Sequence, residues 1–237
     1  EPSVYPYQQE YLLGGKKYSR WGVITLVHLG SKKIYPHEET HSRPKKDRTK
    51  ILEVVQASLS PIFGLIPDRS GRYNRWIRSA CRSQRPIATV RIDGIRHRLW
   101  RISDPRQIQE LKRLLGPKEA IIADGHHRFE AAQTYWKKQR SRKGSSGRSA
   151  ASAYTLFYLA SVRGEDPGLL PTHRLLSGLS KGQHSRLSQA VAAFNGSARK
   201  VSSQKTMQAR LKRLRLSGRV GLGVYAKPGP GWLLEAK

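Results

Sequence analysis

Alternating apolar and polar positions predict three β-hairpins along the chain. Their strand pairs are 4–13 with 21–27, 87–92 with 95–100, and 220–225 with 232–234. Gly14-Gly15 supplies the turn signal for the first hairpin. Asp93-Gly94 supplies it for the second, since Asp-Gly is a favoured two-residue turn between alternating runs.

Short apolar runs and helical spacing predict the remaining elements. The runs 61–66, 120–123 and 154–160 are predicted strands, and 45–58, 105–115, 128–140, 186–194 and 203–216 are predicted helices. Pro44 and Asp104-Pro105 stand where helices begin, and Gly116 stands where one ends. The mixture predicts an α+β fold, with mixed sheets and hairpins packed against helices.

A polar segment at 141–149, rich in Ser, Gly, Arg and Lys, predicts a flexible surface loop. It divides the chain into a motif-bearing α+β domain at 1–143 and a C-terminal α+β portion at 150–237. The second portion is expected either as a separate domain or as part of the first.

Composition changes this picture mainly through charge. The chain has 237 residues, with 45 Lys and Arg against 16 Asp and Glu, which gives a formal net charge of +29. Such an excess favours a phosphate-bearing partner, either nucleic acid or nucleotide, although a generally basic solvated surface also explains it.

The number of cysteines and the hydropathy of the chain limit the cellular compartments in which the protein is expected. Cys81 is the only cysteine, which excludes an internal disulfide framework and a Cys-based zinc site and fits a reducing, cytoplasmic compartment. No apolar run reaches the roughly 18 residues that would predict a membrane span, and no signal-peptide pattern is visible.

His37-Glu38-Glu39-Thr40-His41 matches the H-E-x-x-H pattern of zinc proteases. That chemistry needs both histidines on one face of a helix. Pro36 and Pro44 flank the segment, and its polar residues offer no apolar stripe to bury. A zinc hydrolase is therefore the least favoured interpretation, behind a polar surface loop and a phosphate-directed loop.

The strongest local pattern is a predicted strand followed by a glycine turn and a helix start at 124–128. Gly125 permits close approach of the backbone to a ligand, and the free N–H groups of a helix start favour an anion. His126, His127 and Arg128 add donors, and Arg128 can grip a phosphate bidentately. Asp124 can hold a metal, orient a histidine or cap the helix.

This pattern resembles the DUF1015 family, together with three other segments in matching order. The segments are Ile-Ala-Asp-Gly-His-His-Arg at 122–128, Pro-His-Glu-Glu-Thr at 36–40, Pro-Lys-Lys-Asp-Arg at 44–48 and Asp-Pro-Gly-Leu-Leu-Pro-Thr-His-Arg at 166–174. The resemblance implies that an N-terminal section of the family is missing, so the chain is expected to be an internal fragment. The family is also less basic than this sequence.

The family segment at 124–128 resembles the phosphate-handling box of the ParB, sulfiredoxin and free-serine kinase group. The resemblance implies that Gly125, His126, His127 and Arg128 cradle a phosphoryl group, with Glu38 or Asp124 accepting the hydroxyl proton. Further implied roles are nucleotide binding by Lys45 and Arg48, Mg²⁺ binding by Asp47 and Asp124, substrate binding by Thr40, His173 and Arg174, and a catalytic role for His127.

The expected function is therefore a small-molecule phosphotransferase, specifically a free L-serine kinase that uses ATP or ADP with Mg²⁺. The alternative is a non-catalytic nucleic-acid or nucleotide-binding module of the ParB type. The basic segment 205–215 favours that alternative, because Met207, Leu211 and Leu214 can seat a helix whose Lys and Arg face outward.

Overall fold

The computed structural model describes residues 1–38, 42–143, 151–162, 174–225 and 231–236. The chain divides into two compact units, Glu1–Leu170 and Pro171–Lys237. The described residues combine helices with a mixed sheet and a smaller antiparallel sheet, so the predicted α+β class is confirmed. No helix among these residues is both long and apolar enough to cross a membrane.

The first unit is built on an eight-stranded mixed sheet with the order β3-β7-β4-β8-β2-β1-β6-β5. Its strands are β1 (Tyr5–Leu13), β2 (Lys16–His28), β3 (Ile34–Tyr35), β4 (Ile62–Pro67), β5 (Ala88–Ile92), β6 (Ile95–Leu99), β7 (Ala120–Asp124) and β8 (Tyr154–Val162). Its helices are α1 (Ser42–Val55), α2 (Arg72–Arg82), α3 (Pro105–Leu115) and α4 (His126–Lys143), and a 3-10 turn spans Ala151–Ala153.

Turn chemistry explains both hairpins of this sheet, and both predictions are confirmed. Gly14 and Gly15 have φ values of 57° and 79° between β1 and β2. Asp93 and Gly94 have φ values of 51° and 77° between β5 and β6, which is the left-handed pair that an Asp-Gly hairpin turn requires.

Strand β8 lies beyond the segment 141–149 at which the sequence suggested a division. It pairs antiparallel with β2 and parallel with β4, so it belongs to the middle of the first unit's sheet. The two compact units meet in sequence between Leu170 and Pro171.

Helix α2 has no counterpart among the predicted elements. Its buried residues are Tyr73, Trp76, Ile77, Ala80 and Cys81, which follow a helical period. Tyr73 is fully buried and its hydroxyl donates to the Leu159 carbonyl at 2.8 Å, which ties α2 to β8. Four arginines alternate with these buried residues and lower the mean hydropathy of the segment. The helical period of its apolar residues is therefore not apparent from mean hydropathy.

Two other helices of this unit differ from the predicted bounds. Helix α1 ends at Val55 rather than 58, because Gln56 has a φ of 52° and leaves the helical region. Helix α4 begins at His126 and ends at Lys143, one turn or less beyond the predicted 128–140 at each end.

The second unit has an antiparallel three-stranded sheet and two helices. Its elements are α5 (Lys181–Ala192), β9 (Gly196–Val201), α6 (Gln204–Leu216), β10 (Gly221–Tyr225) and β11 (Gly231–Ala236), with the sheet order β10-β11-β9. The predicted hairpin between β10 and β11 is confirmed. Val201, Met207 and Leu233 form the small core of this unit.

Candidate functional site

The site begins where strand β7 passes into helix α4. Gly125 lies between them with a φ of 99°, and its carbonyl accepts the N–H of Phe129 at 2.9 Å, which makes Gly125 the residue that starts the helix. A Cβ at this position would lie 3.1 Å from three atoms of the Arg128 guanidinium. Glycine therefore serves two requirements here, the left-handed backbone and the close approach of Arg128.

Arg128 reaches back over this turn and is held there by three oxygen acceptors. Its Nη1 donates to Ser60 Oγ at 2.9 Å and to the Pro61 carbonyl, and its Nη2 pairs with the Asp124 carboxylate. The guanidinium thus joins the start of β4 to the end of β7. Two of its nitrogens, which the sequence analysis assigned to a phosphate, are engaged by the protein itself.

His126 is the buried centre of the site, with 3% of its side chain exposed. Its Nε2 accepts the backbone N–H of His37 at 3.3 Å, so the proton of the neutral ring is on Nδ1. Nδ1 faces Glu38, with 3.4 Å between Nδ1 and Oε2. The ring also lies edge-on to that of His37, with 4.6 Å between centroids.

The pKa of His126 is lowered from 6.5, and burial is the largest cause. Glu38 and Asp124 oppose this shift because a carboxylate favours imidazolium, whereas His37 and His127 add to it. At neutral pH the ring is therefore uncharged. The ring that lies 3.4 Å from Glu38 Oε2 therefore adds no positive charge beside that carboxylate.

One pocket of about 210 Å³ collects most of the predicted site residues. Its lining residues are Glu38, Arg48, Ala123, Asp124, Gly125, His126, His127 and Arg128. Glu38 remains 61% exposed and Asp124 71% exposed, so both carboxylates are accessible from solvent. The pocket combines two carboxylates, two arginines, two histidines and a helix N-terminus.

Several other predicted residues are placed elsewhere. Lys45 pairs with Glu130 at 3.3 Å, and Asp47 is exposed on α1; neither is among the described residues that line the pocket. Arg174 is exposed in the second unit. Thr40 and His173 lie outside the described residues.

The H-E-x-x-H pattern is only partly described. Glu39, Thr40 and His41 lie outside the described residues, while His37 packs against His126. Within the described ranges, no three His, Cys, Asp or Glu side chains are grouped so that they could hold a metal ion. The zinc interpretation stays a prediction.

A second cavity, which the sequence analysis missed, adjoins the first. It has about 430 Å³, and Arg48 and Arg128 line both cavities. Its apolar walls come from Ile51, Leu52, Leu59, Ala131 and Ala132. The apolar positions of α1 and α4 carried a signal for it, but the same positions equally predict a helix–helix contact.

Comparison with known proteins identifies a family. The family model described as "Protein of unknown function (DUF1015)" matches residues 1–226. No curated protein matches the chain, and no solved structure does. The match covers nearly the full length and agrees with the resemblance carried by 122–128 and its companion segments, so the chain belongs to the DUF1015 family.

Proposed function

We propose that this protein transfers a phosphoryl group from ATP or ADP to the hydroxyl of a small molecule. The observation that carries the proposal is the single pocket that joins the first turn of α4 to the carboxylate of Glu38. An anion site and a proton acceptor side by side are the two groups that this reaction needs.

The phosphate end of the pocket is the start of α4. The first N–H groups of a helix have no intrahelical partner, and the helix dipole is positive at this end. His127 and Arg48 line the same pocket and supply further donors. Because Arg128 is held by Asp124, Ser60 and Pro61, its role is to fix the turn and add positive charge.

Glu38 is the proposed general base. Its carboxylate takes the proton of the substrate hydroxyl, and the hydroxyl oxygen forms a bond to the terminal phosphorus of the nucleotide. The bond from that phosphorus to the bridging oxygen breaks, and the nucleotide leaves with the electron pair. His126 is a positioning residue, because its Nδ1–H faces Glu38 and its uncharged ring places no positive charge beside that carboxylate.

The residues present fit Mg²⁺ that arrives with the nucleotide. Mg²⁺ is commonly bound by one or two carboxylates together with substrate phosphates. Asp124 would hold it, since this exposed carboxylate lines the pocket, whereas Asp47 does not. When bound, the ion neutralises charge on the phosphates.

The adjoining apolar cavity is the proposed place for the nucleoside. It shares Arg48 and Arg128 with the phosphate pocket, and its aliphatic walls suit the flat face of a base. Free L-serine is the proposed hydroxyl substrate, because 124–128 resembles the box of the free-serine kinases.

The test is formation of O-phosphoserine by the protein with ATP or ADP and Mg²⁺. In Glu38→Gln the amide cannot accept the proton, so turnover is expected to fall about 10²- to 10⁴-fold while nucleotide affinity changes little. Glu53→Gln is the matched control, since Glu53 pairs with Lys138 at 2.8 Å and does not line the pocket.

Two outcomes contradict the proposal in different ways. If no phosphorylated product and no nucleotide-dependent shift of the melting temperature are found, the pocket does not serve this reaction. If Glu38→Gln retains full turnover, Glu38 is not the base, and Asp124→Asn then tests the other carboxylate of the pocket.

A further inference from the structure

Helix α2 presents a narrow face of arginine to solvent. Arg72, Arg75, Arg78 and Arg82 are exposed, and at 3.6 residues per turn they fall within an arc of about 120°. The buried residues of α2 lie on the opposite side of the helix. Arg69 and Arg85, on either side of the helix, are exposed as well, and no acidic residue occurs from 69 to 85.

These arginines have no carboxylate partner in the described part of the chain. Arg96, Arg98, Arg101, Arg128 and Arg219 all form ion pairs there, whereas the α2 arginines form none. The preceding acid, Asp68, is fully buried, and its carboxylate accepts the N–H groups of Tyr73 and Asn74. Glu110 of α3 shares a groove with Arg72 and Arg75 but forms no ion pair with them.

We propose that this face binds the phosphate backbone of nucleic acid. From Arg72 to Arg82 the helix rises about 15 Å, at 1.5 Å per residue. A nucleic acid strand presents one phosphate per 3.4 Å of duplex axis, so this length spans about four phosphates. Arginine suits them because its planar fork donates bidentately to phosphate oxygens.

Helix α6 has similar charge without this arrangement. Its exposed basic residues are Lys205, Arg210, Lys212, Arg213 and Arg215. At 3.6 residues per turn they spread over an arc of about 220°. They cannot all face one strand, so α6 provides a control with similar charge and a different geometry.

The experiment measures binding of the protein to a fluorescein-labelled DNA duplex at several salt concentrations. In wild type the logarithm of affinity falls steeply with the logarithm of salt, by about 0.9 for each phosphate contacted. The variant R72Q/R75Q/R78Q/R82Q is expected to reduce that slope by about 3 to 4. The variant K205Q/R210Q/R213Q/R215Q removes the same formal charge from positions of which no three share an arc of about 120°, and it is expected to change the slope by less than about 1.

Equal losses in the two variants would mean that only overall charge matters, and would overturn the proposal. An unchanged slope in the α2 variant would also overturn it. So would a polyglutamate chain that competes as well as unlabelled DNA at equal charge, because the partner would then be an acidic protein. None of these outcomes depends on phosphotransfer.

Cys81 reports whether α2 remains packed in the variant. It is the only cysteine of the chain, it is buried on the inner face of α2, and burial raises its pKa to about 12. Its alkylation is expected to stay slow in the folded variant and to become fast only on unfolding. If the fourfold variant is alkylated rapidly, R75Q/R78Q replaces it, with an expected slope reduction of about 2.

Discussion

The pocket at the start of α4 and the outer face of α2 are both basic, but their charges are arranged in opposite ways. In and around the pocket two basic side chains are held by carboxylates, Arg128 by Asp124 and Lys45 by Glu130. On α2 the arginines have no such partner among the described residues. Paired charges hold a fixed geometry, whereas unpaired surface charges attract anions over the Debye length and are weakened by salt.

The difference predicts which region tolerates substitution. A group that is held by several partners leaves them unsatisfied when it is removed, and buried unsatisfied groups are costly. An exposed arginine with no ion pair leaves nothing unsatisfied. The pocket is therefore expected to be sensitive to single changes, and the α2 face only to changes in charge.

The largest expected effect is that of Gly125→Ala. Alanine at a φ of 99° is strained, and its Cβ would meet the Arg128 guanidinium at 3.1 Å, so a loss of about 2–3 kcal/mol in unfolding free energy is expected. Gly94→Ala is the control, because Gly94 also has a positive φ, of 77°, but nothing lies within 4 Å of its Cβ position. Urea unfolding measures both, and equal losses would mean that Arg128 contributes nothing to the requirement for glycine.

A smaller effect is expected from Arg128→Gln, about 1 kcal/mol, because the hydrogen bonds to the exposed Asp124 and Ser60 and to the half-buried Pro61 carbonyl are lost. Arg75→Gln is the matched change on α2, and it is expected to alter the unfolding free energy by no more than about 0.5 kcal/mol. The same urea experiment compares them. Similar values for the two variants would remove the contrast between paired and unpaired arginines.

Local signals in the sequence accounted for much of the fold. Asp93-Gly94 set a hairpin turn, and Asp104 accepts the N–H of Arg106 at 2.9 Å as the predicted start of α3. The polar strand β9 was missed because its pattern, Gly-Ser-Ala-Arg-Lys-Val, has little apolar alternation and it is recognisable only through pairing with β11. Such pairing depends on residues distant in the chain, so the residue pattern of β9 alone does not predict it.

The sequence indicated which residues would lie near one another around this pocket, but not how they contact one another. The resemblance grouped Glu38 with 124–128, and the structure places them around one pocket. The direction of Arg128 depends on Ser60 and Pro61, and the tautomer of His126 depends on the backbone of His37. These partners come from segments that no motif links, so sequence reasoning assigned both side chains to the ligand.

The smallest expected effect concerns pH. The pKa of His126 is lowered from 6.5 on folding, so below about pH 6.5 the unfolded chain binds a proton that the folded chain does not. The unfolding free energy is therefore expected to decrease as pH falls below that value and to be insensitive to His126 above it. His126→Gln should weaken this dependence, whereas His184→Gln, an exposed histidine on α5, should leave it unchanged. Urea midpoints between pH 5 and 8 test this for each protein. An identical pH dependence in wild type and His126→Gln would show that folding does not lower the pKa of His126, and the ring beside Glu38 would then be an imidazolium below about pH 6.5.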